Sequence, residues 1–351
     1  MKTCFVNVGK GYPVYIENNI ISNAGAYIRD MSEARTACVV SDSNVFPLYA
    51  AKLCTCLQAT GFRVVQYVFK AGEASKTMAT VAELVAFFAE NGLTRDDLAV
   101  SLGGGVTGDI TGFAAAIYLR GIDYVQVPTS LLAQVDASVG GKTAVDLPQG
   151  KNLCGAFHQP LGVLIDPALL SSLPQRFIRD GMAEAIKMAS LMHSDMFERI
   201  ETGNISDYLE EMIYECVRFK AAIVERDETD CGERALLNFG HSVGHAIEKL
   251  TDYSAVSHGE AVAIGMVTVT KAAEWHCLSE KGTAERIANV LRMYGLPTAY
   301  DIDIDKLVDA LRSDKKRTAD GLKLILLNRI GEACIHLLAN DEVKAFFEVL
   351  R

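Results

Sequence analysis

The chain of 351 residues lacks most of what would direct a protein into a membrane, out of the cell or onto a nucleic acid. No stretch approaches the ~18 uninterrupted apolar residues of a spanning helix, and the start, MKTCFVNVGKGYPVY, has no apolar signal-peptide core. Basic residues are in deficit: 34 Lys+Arg against 44 Asp+Glu give a formal charge of −10. Affinity for phosphate backbones comes from basic surface that releases counterions, so no nucleic-acid partner is expected. Paired cysteine is missing as well. Nine cysteines are scattered from Cys4 to Cys334, and the closest pair, Cys54 and Cys56, lacks the two-residue spacer of a redox or zinc knuckle. Free thiols in a reducing compartment follow, and the expectation is a cytoplasmic protein without a membrane partner. Internal repeats and low-complexity segments are also lacking.

What is present is apolar residue in quantity. Half the chain is hydrophobic and 22% is charged, the opposite of a disordered composition, so a large packed core is expected. Single cores stop growing near ~250–300 residues, which makes two domains the natural division of this length. From Ala37 to about Val127 short β-branched runs (ACVVSD, FRVVQYVF, DLAVSL, DYVQVP) alternate with helix-length stretches such as TMATVAELVAFFAENG, the pattern of parallel strands joined by crossover helices. After Pro167 the character changes. Gln175–Ile200, Ser206–Glu228, Leu237–Leu250 and Gly259–Leu278 carry helical periodicity, with few strand-like runs between them. The loop around Asp166–Pro174, with its prolines and serines, marks the boundary.

DLAVSL runs directly into GGGVTGD, where Gly103, Gly105 and Gly108 have the spacing of a phosphate-approaching turn before a helix. Two details depart from a standard dinucleotide fingerprint. The turn follows about the third strand rather than the first, and no acid lies ~20 residues on at a strand end, Asp123 being too near. GGKT at Gly140–Thr143 resembles the end of a nucleotide triphosphatase loop, but Asp136 stands where its first glycine belongs.

Three of the seven histidines fall within NFGHSVGHAIEKLTDYSAVSHGE. His241 and His245, four apart, share a helix face, and His258 follows after a connection containing Asp252 and Ser254. A metal site is the leading reading, yet spacing leaves the ligands open: His241, His245 and Glu248 form one stripe, while His241 and His258 with a remote carboxylate serve equally well. Glu184, with Lys187 one turn on, is the best remote carboxylate. Lys142, Lys151, Lys187, Lys220, Arg234 and Asn238 flank these motifs and point to a small, multiply anionic ligand.

These residues carry a resemblance to the 3-dehydroquinate synthase family. It spans nearly the whole chain, through GEASKT, SLGGGVTGDITGFAAAIYLRG, VPTSLLAQVDASVGGKTAVDLPQGKN, LCGAFHQP, SLPQRFIRDGMAEAIK, ERALLNFGHSVGHAIE, HGEAVAIGM and DKK…LLNRIG. The resemblance implies an α/β, Rossmann-like NAD-binding domain over residues 1–170. A mostly α-helical metal- and substrate-binding domain follows over 171–351. It implies NAD contacts from Asp42, Asn44, Glu73, Lys76, Gly104, Gly105, Val106, Asp109, Thr129, Ser130, Lys142, Lys151 and Ser172. Zinc, or cobalt, would take Glu184, His241 and His258, leaving His245 as an acid/base group beside Lys142 and Asp230. Substrate would meet Arg120, Asp136, Lys142, Asn152, Lys187, Lys220, Arg234, Asn238 and a lysine of DKK, Lys315 or Lys316, with Lys316 preferred. Arg120 would come from a neighbouring subunit, which implies a homodimer. The implied activity turns 3-deoxy-D-arabino-heptulosonate 7-phosphate into 3-dehydroquinate and phosphate through a transient oxidation.

Departures from the family pattern are few. Ser130 replaces a usual threonine and Cys154 an aliphatic residue; Asp146 stands where asparagine is usual, and Asp230 where many members have glutamate. Metal-dependent polyol dehydrogenases share the glycine loop and a histidine-bearing helical domain, so an oxidoreductase is the rival reading; net accumulation of NADH would mark it.

Overall fold

The computed structural model describes the chain except residues 193–194, 252–254, 313–316, 319–320 and 351. It divides into two compact units, Met1–Pro174 with Lys220–Thr229, and Gln175–Phe219 with Asp230–Arg351.

The first unit is an α/β layer structure. In chain order it contains β1 (Lys2–Val6), β2 (Tyr12–Ile16), α1 (Ala24–Met31), β3 (Thr36–Asp42), α2 (Phe46–Ala59), β4 (Arg63–Phe69), α3 (Met78–Glu90), β5 (Leu98–Gly103), α4 (Gly105–Ile117), β6 (Asp123–Pro128), β7 (Lys142–Leu147), β8 (Gly150–Phe157) and β9 (Gly162–Ile165). Seven strands form one sheet in the order β1-β2-β9-β6-β5-β3-β4; β1 and β2 are antiparallel and every other pair is parallel. The runs of β3, β5 and β6 read as strands because a parallel strand covered on both faces is apolar at most positions, whereas β4, at the edge of the sheet, is only partly covered. Along β3, Ala37 and Val39 join Leu53, Leu57, Val100 and Val125 on one face, while Cys38 and Val40 join Val81, Leu84, Phe88 and Ile110 on the other. Burial of each such large side chain stabilises by about 1.5–3 kcal/mol. β7 and β8 form a separate antiparallel hairpin.

The second unit is mostly helical: α5 (Gln175–Leu191), α6 (Met196–Glu201), α7 (Leu209–Arg226, whose residues from Lys220 cluster with the first unit), α8 (His241–Leu250), α9 (His258–Trp275), α10 (Thr283–Met293), α11 (Ile304–Arg312) and α12 (Glu342–Glu348). One helix expected over 175–200 is two, α5 and α6. A three-stranded antiparallel sheet of β10 (Arg317–Thr318), β11 (Gly321–Arg329) and β12 (Glu332–Leu338) lies among these helices, where periodicity indicates few strands. The physical reason is in LKLILL: a short continuous apolar run has no period, so only tertiary pairing decides between helix and strand. Ser257 begins α9 with a capping box, its hydroxyl accepting from Glu260 N and the Glu260 carboxylate accepting from Ser257 N. Gly259 lets α9 touch α5, since a Cβ there would stand 2.4 Å from Asp180 Cα.

Candidate functional site

In the first unit β3 pairs with β4 on one side and β5 on the other, and the chain runs from β3 to β4 and then crosses back past β3 to β5. Their C-terminal ends therefore flank a topological switch point, where open α/β sheets take ligands. Asp42 ends β3, Gly103 ends β5 and Thr129 follows β6. A Cβ on Gly103 would stand 2.2 Å from Thr107 Oγ1, so the turn closes too tightly for any side chain there. α4 starts at Gly105 with no side chain capping it, and the first-turn amides, including those of Gly105 and Val106, have no acceptor within the helix. The loops around the turn are pinned. Thr129 N donates to Gly103 O (2.9 Å), Ala133 N to Ser130 Oγ (3.3 Å) and Thr107 Oγ1 to Asp42 Oδ2 (3.3 Å). Asp42 Oδ1 in turn accepts from the amides of Asn44 and Val45, setting the exposed Asn44 beside the switch point.

A charged cluster joins three distant segments of this unit. Lys76 Nζ lies 2.5 Å from both Asp109 Oδ2 and Asn152 Oδ1. Asn152 holds a left-handed φ of 54°, and Asp146 Oδ1 accepts its amide (2.8 Å), while Asp146 N donates to Lys76 O (2.8 Å). Burial pushes the Asp109 carboxyl up, more than Lys76 pulls it down, and with Glu73 and Asp146 adding their repulsion it reaches about 6. For Lys76 burial opposes the charge, but Asp109 and then Glu73 outweigh it and raise the ammonium. Glu73 is exposed, as is Lys142 at the start of β7; Lys151 on β8 is half-buried. Lys220 donates to Asp136 O (2.7 Å) and pairs with its carboxylate. The Ser172 hydroxyl lies 2.5 Å from Tyr49 Oη. Arg120 is exposed on a turn in which Leu119, Arg120 and Gly121 all have positive φ.

In the second unit three helices converge on Glu184. The carboxylate projects from α5 and is 1% exposed; Lys187 Nζ, equally buried on the next turn, lies 2.5 Å from Oε2. Neither carboxylate oxygen receives a well-directed hydrogen bond. Oε1 faces His258 Nε2 at 3.4 Å and His241 Nε2 at 3.6 Å. Two ligands of a tetrahedral ion, each about 2.0–2.1 Å from it, stand roughly 3.4 Å apart, so these donors fit one divalent ion. His245 stands beside them, its ring centroid 5.5 Å from that of His241 and 6.3 Å from that of His258. A second grouping, His245, Glu248 and His258, also brings its donor atoms within 4.8 Å of one another, so His258 belongs to both. The stripe of His241, His245 and Glu248 is not itself such a grouping among the described residues. Burial opposes charge on His258, but the carboxylates of Glu184 and Glu248 prevail and raise its imidazole to about 10.

Arg234 is 1% exposed, and Asn238 Nδ2 donates to Ala235 O (3.1 Å) just before α8. Asp230 holds a left-handed φ of 60°. Lys315, Lys316, Asp252 and Ser254 lie outside the described residues. One pair escaped the sequence reading: the Ser257 hydroxyl bonds to Asp180 Oδ1, tying the start of α9, one residue before His258, to α5, four residues before Glu184. The S-x-x-E signature at Ser257 was the available signal for the cap; nothing local signals Asp180.

Comparison with known proteins agrees across the chain. The family model described as 3-dehydroquinate synthase N-terminal matches residues 66–180, and that described as 3-dehydroquinate synthase C-terminal matches 181–317. A curated 3-dehydroquinate synthase of Clostridium acetobutylicum is 42% identical, with 100% of both chains covered. Among solved structures, a 2-deoxy-scyllo-inosose synthase complexed with carbaglucose-6-phosphate, NAD+ and Co2+ has a TM-score of 0.88 at 27% identity, covering 99% of each chain. The 2-epi-5-epi-valiolone synthase ValA of Streptomyces hygroscopicus, with NAD+ and Zn2+ bound, has a TM-score of 0.85 at 27% identity, covering 100% of this chain and 99% of its own.

Proposed function

The chain belongs to the 3-dehydroquinate synthase family, and from that premise we propose that it converts 3-deoxy-D-arabino-heptulosonate 7-phosphate into 3-dehydroquinate and phosphate. The observation that carries the reading is the buried Glu184 with its oxygens turned to the Nε2 atoms of His241 and His258, and a further histidine, His245, beside them. Residues 1–170 hold NAD, through the amides at Gly104, Gly105 and Val106 and through Asp42, Asn44, Glu73, Lys76, Asp109, Thr129, Ser130, Lys142, Lys151 and Ser172. Residues 171–351 hold zinc or cobalt on Glu184, His241 and His258. When bound, NAD supplies a reversible hydride acceptor, which makes the C–H beside the oxidised carbon acidic, and the metal supplies a Lewis acid for the hydroxyl oxygen.

The chain's own residues do the rest. An imidazole nitrogen of His245 takes the proton of the hydroxyl to be oxidised and returns it on re-reduction, a task that typically contributes ~10²–10⁴-fold. Lys142 and Asp230 share the acid/base work of phosphate loss. Lys187 and Arg234, nearly free of water, hold the substrate's anionic groups with more force than surface cations do, and each loses little freedom in binding because burial already fixes it. Asp136, by pairing with Lys220, presets that ammonium; Asn152, set by Asp146, is preset in the same way. Asn238 and Lys316 complete the substrate contacts. The exposed Arg120 serves the site of a neighbouring copy, which makes the working form a homodimer, and the protein acts in the cytoplasm.

Incubating purified protein with the heptulosonate phosphate, trace NAD+ and zinc tests this reading. Release of phosphate matched by 3-dehydroquinate supports it, and no phosphate release refutes it.

A further inference from the structure

We propose that Glu248 is a positioning residue of the metal centre: it accepts the Nδ1–H of His258 and thereby holds the Nε2 lone pair toward Glu184 and His241. The inference rests on the reading of Glu184, His241 and His258 as metal ligands. His258 has one nitrogen on each side. Nε2 faces Glu184 Oε1 at 3.4 Å, and Nδ1 faces Glu248 Oε1 at 3.5 Å. His241 is arranged alike, with Nδ1 3.1 Å from the Phe239 carbonyl oxygen and Nε2 toward the same Glu184 oxygen. Each imidazole thus meets an oxygen acceptor at Nδ1, one a backbone carbonyl and the other a carboxylate, so that with an ion in place of the Nε2 proton each keeps its remaining proton on Nδ1 and ligates through Nε2.

The same geometry decides between the two donor groupings that share His258. A neutral imidazole that ligates through Nε2 keeps its proton on Nδ1 and offers no second lone pair. Ligation at both nitrogens would require an imidazolate, with that proton lost. One ion on Glu184, His241 and His258 therefore turns Glu248 from a ligand into a hydrogen-bond acceptor. Its position suits the role: Glu248 is 3% exposed and sits on α8 two turns beyond His241, so the helix that supplies one ligand also braces the other.

The experiment compares Glu248→Met, which keeps the volume and removes the acceptor, with Glu248→Gln, whose amide oxygen can accept the same proton. Zinc affinity of the purified full chains is measured by competition with a chelator, together with the metal-to-chain ratio and the visible spectrum of the cobalt form. Loss of an outer acceptor of this kind costs 10–100-fold in affinity, roughly, so Glu248→Met binds zinc that much more weakly. Glu248→Gln recovers most of the loss, and all three proteins take one ion with the same saturated cobalt spectrum. Thermal unfolding of the metal-free forms, equal within a few degrees, separates the effect from a folding defect; should Glu248→Met not fold, Glu248→Leu takes its place. Affinity unchanged in the acceptor-less variant overturns the proposal, as does a second ion in the wild type that is lost in both variants. Absence of any metal binding by the wild type overturns the underlying ligand assignment, and this inference with it.

Discussion

In the first unit the groups proposed to face a ligand are backbone amides at the start of α4, set by three successive glycines, whereas in the second they are side chains of α5, α8 and α9 from positions 184, 241 and 258, which could together hold a metal ion. A turn of that kind is specified within a few residues. The histidine cluster is specified by how helices pack, through contacts such as Gly259 on Asp180 and the Ser257–Asp180 bond. The difference explains why spacing alone located the glycine turn but left the metal ligands open: local geometry is written in local sequence, and ligand choice is written in interhelical distances.

The sharpest break between the two halves comes from the cluster. Glu184→Ala removes the carboxylate at which both imidazoles point, so the purified variant is expected to retain no zinc and no turnover, with NAD affinity unchanged. His245→Ala is expected to keep a full equivalent of zinc and to lose turnover by ~10²–10⁴-fold, the usual worth of a positioned base. Metal analysis of the two variants reads the contrast; full zinc in the first or none in the second contradicts the ligand assignment.

A matched pair of glycine substitutions sharpens it further. Gly103→Ala drives a methyl into Thr107 and Gly259→Ala drives one into Asp180, and overpacking of this kind costs about 1–3 kcal/mol. Both lower stability in urea unfolding, but the first is expected to weaken NAD and spare zinc, and the second to do the reverse. Equal loss of both ligands in either variant would mean that the two halves are not separately built.

One pH response is expected from the first unit. The Asp109 carboxyl is raised from 3.8 to about 6 in the folded chain, so between those values the unfolded chain has released a proton that the folded chain still holds. Stability from this group is full below 3.8, falls as pH rises toward 6, and is level above it. Unfolding of wild type and Asp109→Asn across this range should show wild type losing stability relative to the variant as pH rises; a constant difference would contradict the shift. The smallest effect is expected from Asp146→Asn: an amide oxygen accepts the Asn152 N–H as the carboxylate does, so stability should change by under about 1 kcal/mol.

The parallel strands β3, β5 and β6 were legible because strands buried on both faces are near-continuous apolar runs, and α7 because it buries one stripe, whereas α5 is buried without a break from Gly181 to Leu191. β11 and β12 were not, since LKLILL has no period and their pairing is tertiary. Lys76, Asp109 and Asn152 could each be named from motifs, but that one ammonium bridges the other two follows only from how β7 and β8 fold back. Glu248 appeared in the sequence as a member of a stripe; its role facing the far nitrogen of His258 depends on where α9 begins, which a pattern on α8 does not contain.

The proposed activity requires a closed redox cycle, and following phosphate release and NADH absorbance together tests it most directly. With the heptulosonate phosphate in large excess over NAD+, many phosphates are expected to be released per NAD+ present, with no accumulation of NADH. NADH rising in step with substrate consumed, without phosphate, would contradict it and make the protein a dehydrogenase.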